Sequence, residues 1–398
     1  MDSTRSSFTS FIWFLSFTET VVYLSFDMSL PALPQFTADF NTSEDMSYYA
    51  IALWSFGAGA VQLFFAPLSN ILSKKRILLF GVFLFTMSVL VCFFTNSVQQ
   101  FLLARFIQGT TVCFISLSGY AIIHEKYSTK GAVGILSILS AISVIAPAVG
   151  PSLGAVIISN GSWRYIFGLL FILGVIGFTG LFYSMSCEEF QPRLKEKITP
   201  SALRSYYRII TNFSFMRYNM IYSIGIASII IWNIQSPFII ISQALKTEMF
   251  YGIYQGVIFT AFMGGSFLAR YLNHNNKRQH ILSLGLIICF LASVSFLLIL
   301  LLSNNILLFL PSLMLYSFGT SLPLGMLNRY IIEASEEEVG MKIAVLSTFI
   351  SIFVLILNYA VILLSLNNLK GIGMMIAIVT GINYILYVAD RSQSSVVK

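Results

Sequence analysis

Apolar residues in this chain fall in long runs closed by charged or polar punctuation, at about 11–34, 47–67, 77–96, 98–123, 131–159 and 163–185. A second set follows at about 217–241, 251–272, 280–302, 305–332, 340–365 and 371–390. A helix needs roughly 20 predominantly apolar residues to cross the hydrocarbon of a bilayer, so each run predicts one transmembrane helix and the chain predicts twelve. Between the sets lies the longest polar stretch, Cys187 to Met216, with Pro192, Pro200, six ionised side chains from Glu188 to Lys197, and then Arg204 and Arg208. It reads as a linker that carries a short amphipathic helix at the membrane surface. The predicted organisation is an all-α polytopic membrane protein: a six-helix bundle over residues 1–186, a linker over 187–216 and a second six-helix bundle over 217–398, an arrangement of two parallel repeats.

Composition agrees and removes alternatives. The 398 residues are 57% hydrophobic and only 10% charged, whereas soluble domains carry roughly 25% charged residues to clothe a surface in water. The formal net charge of +7 does not call for a nucleic-acid partner, because short cytoplasmic loops of membrane proteins are enriched in Lys and Arg. With both termini inside, 18 of the 23 basic residues lie on the cytoplasmic side, Lys74, Lys75 and Arg76 among them. Only Arg164, Lys246 and Lys370 fall on the other side, and the first external loop holds Asp39, Glu44 and Asp45 with no basic residue. Both termini are therefore expected in the cytoplasm. The first run is too long for a signal-peptide core, lacks a small-residue cleavage site and carries two acids, so it is expected to stay as the first transmembrane helix.

Those two acids are the main chemical signal. Of 16 Asp and Glu residues, all but Glu19 and Asp27 fall in loops, tails or helix ends. An ionised carboxylate in hydrocarbon costs several kcal/mol, so both must face a bundle interior or an aqueous cavity. Eight residues of helix place them about 12 Å apart along the axis and roughly a quarter turn around it. Tyr23 stands midway, four residues from each. A carboxylate at that depth can take a proton from one side and release it to the other, which is the chemistry a proton-coupled transporter needs. Arg105, about eight residues into the fourth run in LLARFIQGT, needs a partner for the same reason, and Asp27 or the polar face of the first helix is the expected one.

Glycine and proline mark the moving parts. The fifth run holds Pro147, Gly150, Pro151 and Gly154 in APAVGPSLGA; small residues permit close helix approach and each proline removes a backbone donor. Gly57, Gly59 and Ala60 in the second run read as packing. His124 and Glu125 read as a solvated helix end, Glu336 to Glu338 as a solvated turn, and Cys92, Cys113, Cys187 and Cys289 as packing residues without metal or disulfide spacing. No phosphate-binding loop, metal-ligand cluster or Ser-His-Asp grouping occurs, so no cofactor and no enzymatic activity are expected.

These residues together resemble the drug/proton antiporters of the major facilitator superfamily, in particular the Bcr/CflA group and its MdfA-type members. The likeness rests on Glu19 and Asp27 followed by Met28 and Pro31, on RFIQGTTVCFISLSGYAIIHE in the fourth run, on GPSLG in the fifth and on WNIQSPFIII in the seventh, with Arg329 near the end of the tenth. The resemblance implies a major facilitator fold in a bacterial inner membrane. It implies proton coupling through Glu19, Asp27 and Arg105. Substrate contact is implied for Glu19, Tyr23, Asp27, Tyr120, Trp232 and Gln235. Conformational roles fall to Gly150, Pro151, Gly154 and the loop residues Asn70, Lys74, Lys75 and Arg76. In one place the chain departs from that family: the pattern G-x-L-x-D-x-x-G-R-[KR] is met by Ala66, Asn70 and Ser73 where it has a glycine, an acid and a glycine. The function this implies is export of small amphipathic compounds, cationic or neutral, in exchange for protons, by a monomer in the lipid bilayer. The alternatives are a proton-coupled importer and a dedicated exporter of one metabolite or siderophore.

Overall fold

The computed structural model describes residues 2–68, 73–127, 129–185, 202–273 and 278–394. Its described residues form helices α1 Asp2–Asp27, α2 Leu33–Asp39, α3 Glu44–Leu68, α4 Lys74–Phe94, α5 Val98–Lys126, α6 Thr129–Ser159 and α7 Arg164–Ser184. After the linker come α8 Ala202–Thr211, α9 Phe213–Pro237, α10 Glu248–Asn273, α11 Arg278–Leu302, α12 Ile306–Glu333, α13 Val339–Leu363 and α14 Leu369–Ser394. All except α2 and α8 have at least 21 residues. Ten are long and apolar enough to cross a membrane; α1, with its two acids, and α6 complete the twelve spans of the fold.

The chain divides into two units, Met1–Ala202 and Leu203–Lys398. In the first, α5 packs on α3 and α4, α7 on α4 and α1, and α6 on α1; in the second, α12 packs on α10 and α11, α14 on α11 and α9, and α13 on α9. The same set of pairings is thus built twice, with α9 to α14 standing where α1 and α3 to α7 stand in the first unit. Lipid provides no hydrophobic drive for such pairings, so close backbone contact through small residues has to hold them. At the α3–α5 crossing a Cβ on Gly57 would lie 2.3 Å from the Phe106 carbonyl oxygen, and one on Gly109 only 1.9 Å from that of Trp54. The repeat reproduces this at the α10–α12 crossing, where a Cβ on Gly265 would lie 2.4 Å from the Phe318 carbonyl oxygen.

One expected element is broken. The run 11–34 is not a single helix: α1 stops at Asp27, a turn and a 3-10 segment Leu30–Ala32 follow, and α2 restarts at Leu33. Pro31 and Pro34 have no N–H to offer the carbonyls of Asp27 and Leu30, so a continuous helix would lose two of its bonds here. Each proline instead sits in the first positions of the new segment, where its missing donor costs nothing. Asp27 therefore lies at a helix end rather than in mid-helix. The surface helix expected in the linker is α8; residues 187–201 lie outside the described residues.

Candidate functional site

The first unit concentrates its buried charge around α1. Glu19 is 2% exposed, and among the described residues neither of its carboxylate oxygens has a hydrogen-bond partner. Tyr23 and, from α5, Tyr120 lie within electrostatic reach of it. Ser116 of α5 lies close to both Glu19 and Tyr23, although the carboxylate meets no hydrogen-bond geometry. Three residues singled out in the sequence therefore cluster. Ser116 was not legible there; its one signal is the position four residues before Tyr120 on α5.

Asp27 is 3% exposed and sits against α6. A Cβ on Gly150 would come 2.5 Å from the Asp27 Cβ, and one on Gly154 2.1 Å from the Met28 carbonyl oxygen. The glycines of GPSLG are therefore the surface on which the end of α1 rests. Pro147 and Pro151 lie inside the same helix.

Arg105 is fully buried, and its guanidinium is solvated by neutral oxygens. Nη1 donates to the Ser25 carbonyl at 3.1 Å and to Gln108 Oε1 at 2.7 Å, Nη2 to Ser29 Oγ at 3.1 Å, and Nε to the Ala50 carbonyl at 3.4 Å. Among the described residues it pairs with no carboxylate. The expected partner Asp27 is thus replaced by the other expectation, the polar face at the end of the first helix. The last carbonyls of a helix lack intrahelical donors. Because α1 ends at Asp27, the Ser25 carbonyl is one of these, and Arg105 satisfies it. Gln108, three residues along α5, is held in turn by donating to Cys92 Sγ at 3.2 Å.

In the second unit α9 presents amides where α1 presents acids. Trp232 Nε1 donates to Gln255 Oε1 at 3.1 Å, and Gln255 Nε2 donates to Asn233 Oδ1. Among the described residues Gln235 is fully buried with both amide atoms unpartnered, and so is Asn358 of α13. Asn233, Gln255 and Asn358 escaped the sequence reading because neutral amides in an apolar run carry no charge to count. At the start of α4, Lys74 pairs with Glu125 of α5 and Lys75 donates to the Met185 carbonyl at the end of α7, while Arg76 is exposed. Glu125, expected as a solvated helix end, has that lysine as its partner. Asn70 lies outside the described residues. Arg329 is exposed and pairs with Glu333 at 2.6 Å within α12.

The Major Facilitator Superfamily family model matches residues 15–357, a stretch that holds both acids, Arg105, the α6 glycines and the α9 amides. The chain belongs to the Major Facilitator Superfamily. Superfamily membership groups it with transporters, not enzymes, and its many long apolar helices make it a multi-pass membrane protein. Among curated proteins it is 29% identical over 264 residues to the multidrug resistance protein MdtM of Escherichia coli O157:H7, covering 65% of this chain and 63% of that one. It is 30% identical over 249 residues to the multidrug transporter MdfA of Yersinia pestis bv. Antiqua (strain Angola), covering 62% and 60%. The match thus spans less than two thirds of the length of these curated relatives. The superfamily fold is also seen in the crystal structure of a bacterial homologue of the human lysosomal transporter Spinster, with a TM-score of 0.64 at 14% identity over 87% of this chain and 79% of that one.

Proposed function

We propose that the protein is a proton-coupled multidrug exporter that expels small amphipathic compounds, cationic or neutral, by antiport and alternating access. The observation that carries this is the Glu19 carboxylate, buried in α1 without a hydrogen-bond partner among the described residues and flanked by two phenols. An ion so placed has two ways to relieve its desolvation: to bind a proton or to face a cation held against aromatic rings. Proton and substrate compete for it, and that competition is the coupling. The names of the MdtM and MdfA relatives favour broad export over a single metabolite.

In this reading protons enter from outside, neutralise Glu19 and Asp27 and displace substrate. Opening to the cytoplasm then releases the protons and admits new substrate. Arg105 positions the end of α1. Gly150, Pro151 and Gly154 form the surface on which that end moves, and Lys74, Lys75 and Arg76 with Asn70 set the cytoplasmic latch. Tyr23, Tyr120, Trp232 and Gln235 contact substrate. The protein works as a monomer, with both termini in the cytoplasm and bundles 1–186 and 217–398 joined by the linker 187–216.

The test is substrate efflux from proteoliposomes under an imposed pH gradient. Efflux should follow the gradient in the unaltered chain and lose that dependence when Glu19→Gln is combined with Asp27→Asn. Efflux unchanged by collapsing the gradient, or by that double substitution, would overturn the proposal.

A further inference from the structure

Helix α8 has two unlike faces. One is docked inside the second unit: Ile209 is fully buried, and Asn212, just past the helix, donates to the Ala334 carbonyl at 2.8 Å. Arg208 Nη1 lies 3.3 Å from Glu337 Oε1 in the α12–α13 turn, and Ser205 lies close to the same carboxylate. The opposite face carries Leu203, Tyr207 and Ile210, which recur at helical spacing and are 81%, 69% and 47% exposed, and Phe213 at the start of α9 extends the stripe at 65%. Nothing in the described residues covers it.

What covers that face is settled by charge and position. The helix sequence ALRSYYRIIT contains two arginines and no acid, and α9, which crosses the membrane, begins two residues after it. An apolar stripe flanked by arginines at the mouth of a membrane span is built to lie in the interface, with its apolar side chains among the acyl chains and its cations at the headgroups. Arg204 is exposed and forms no ion pair among the described residues. Arg208, one turn further on the same flank, keeps 58% of its side chain exposed despite its contact with Glu337.

We infer that α8 binds anionic phospholipid, with Arg204 and Arg208 holding the headgroups and Glu337 competing with lipid for Arg208. Anionic lipid then draws Arg208 off the α12–α13 turn, so the charge of the leaflet sets how firmly α8 is clasped to the second unit. This extends the proposed function by a lipid partner and rests on the reading that α8 lies at the cytoplasmic surface; its test does not depend on transport.

The full chain, carrying Cys187→Ser and Tyr207→Cys labelled with a fluorophore, is reconstituted in vesicles of phosphatidylcholine mixed with phosphatidylglycerol. Either the first or the second lipid carries bromine as quencher. Severalfold stronger quenching by brominated phosphatidylglycerol is expected, weakened by Arg204→Gln, lost when Arg208→Gln is added, and strengthened by Glu337→Gln. Because Arg204 is exposed and forms no ion pair among the described residues, its variant keeps the fold and remains informative if the Arg208 change disturbs docking. Equal quenching by the two lipids, or a preference that survives loss of both arginines, would overturn the inference. A preference indifferent to Glu337→Gln would remove the competition.

Discussion

Helices α1 and α9 hold equivalent places in their units, α1 packing on α5, α6 and α7 and α9 on α12, α13 and α14 in the same pattern, yet their buried polar side chains differ in kind. α1 buries Glu19 and Asp27, and Arg105 of α5 is drawn to its end. α9 buries Asn219, Ser223, Ser228, Asn233 and Gln235, and among its described residues the second unit buries no acid. The one cation buried there, Lys342, donates to the Ile332 and Ser335 carbonyls, both at 2.7 Å, and so caps the end of α12 in the way a cation suits a helix C-terminus. A single packing plan thus carries ionisable chemistry in one copy and neutral hydrogen bonding in the other. Gradient coupling should therefore reside in the first unit, and loss of side chains from the second should alter affinity without uncoupling.

The comparison breaks most visibly at Glu19. Glu19→Gln should lower pH-gradient-driven efflux by about a hundredfold, the scale on which positioned acids and bases contribute. A carboxylate moved to the second unit with Gln235→Glu should not restore it; restoration would sink the division between the units. Arg105→Met comes next. It leaves the Ser25 carbonyl, Ser29 and Gln108 short of a donor at about 1–3 kcal/mol for each unsatisfied group, seen as a large fall in the detergent melting temperature. Arg105→Lys should recover only part of this, since one ammonium replaces a planar fork of donors. Gly154→Ala should cost about 1–3 kcal/mol by overpacking against Met28. Gly325→Ala and Gly381→Ala, where a Cβ meets nothing within 4 Å, should be neutral or slightly stabilising in the same melting assay.

Smaller effects sharpen the second unit. Trp232→Phe removes the bond to Gln255 and should cost about 1 kcal/mol, with substrate affinity reduced and the pH profile of efflux unmoved. The smallest effect concerns Glu337, whose carboxyl is held below the usual carboxylate range by the Ser205 hydroxyl first and by Arg208 second, with Lys342 also acting on it. A lowered value means that the α8 contact is complete at and above the ordinary carboxylate range and fades as pH falls through the lowered one. Protection of α8 amides, taken relative to their intrinsic exchange rate at each pH, should accordingly fall with acidification, and Glu337→Gln should flatten that dependence.

Much of the fold was legible because a hydrocarbon solvent imposes one demand, apolar runs of sufficient length, and the runs stood out. The pairing of Glu19 with Tyr23 was legible for a related reason: charges in an apolar chain are few, and helical spacing aligns the phenol with the acid; Tyr120, on another helix, entered only through the family resemblance. The break after Asp27 was less so. Pro31 and Pro34 were visible, but they sit in a run whose hydropathy gives no sign of interruption. Arg105 shows the limit more sharply. Sequence pairs charges with charges, whereas this guanidinium is satisfied by a carbonyl that becomes available only because a helix ends beside it. Gln255 and Asn358 lay hidden because the sequence does not show whether a neutral amide is buried.

The seat of Asp27 and Met28 on Gly150 and Gly154 has a mechanical consequence. With less clearance than a methyl group needs, the joint between α1 and α6 has no backlash. A displacement of the acid-bearing end toward α6 must then be met by movement of α6, since the contact leaves no room to absorb it. Such a joint is also unforgiving to inheritance, since any side chain larger than hydrogen at either glycine jams it.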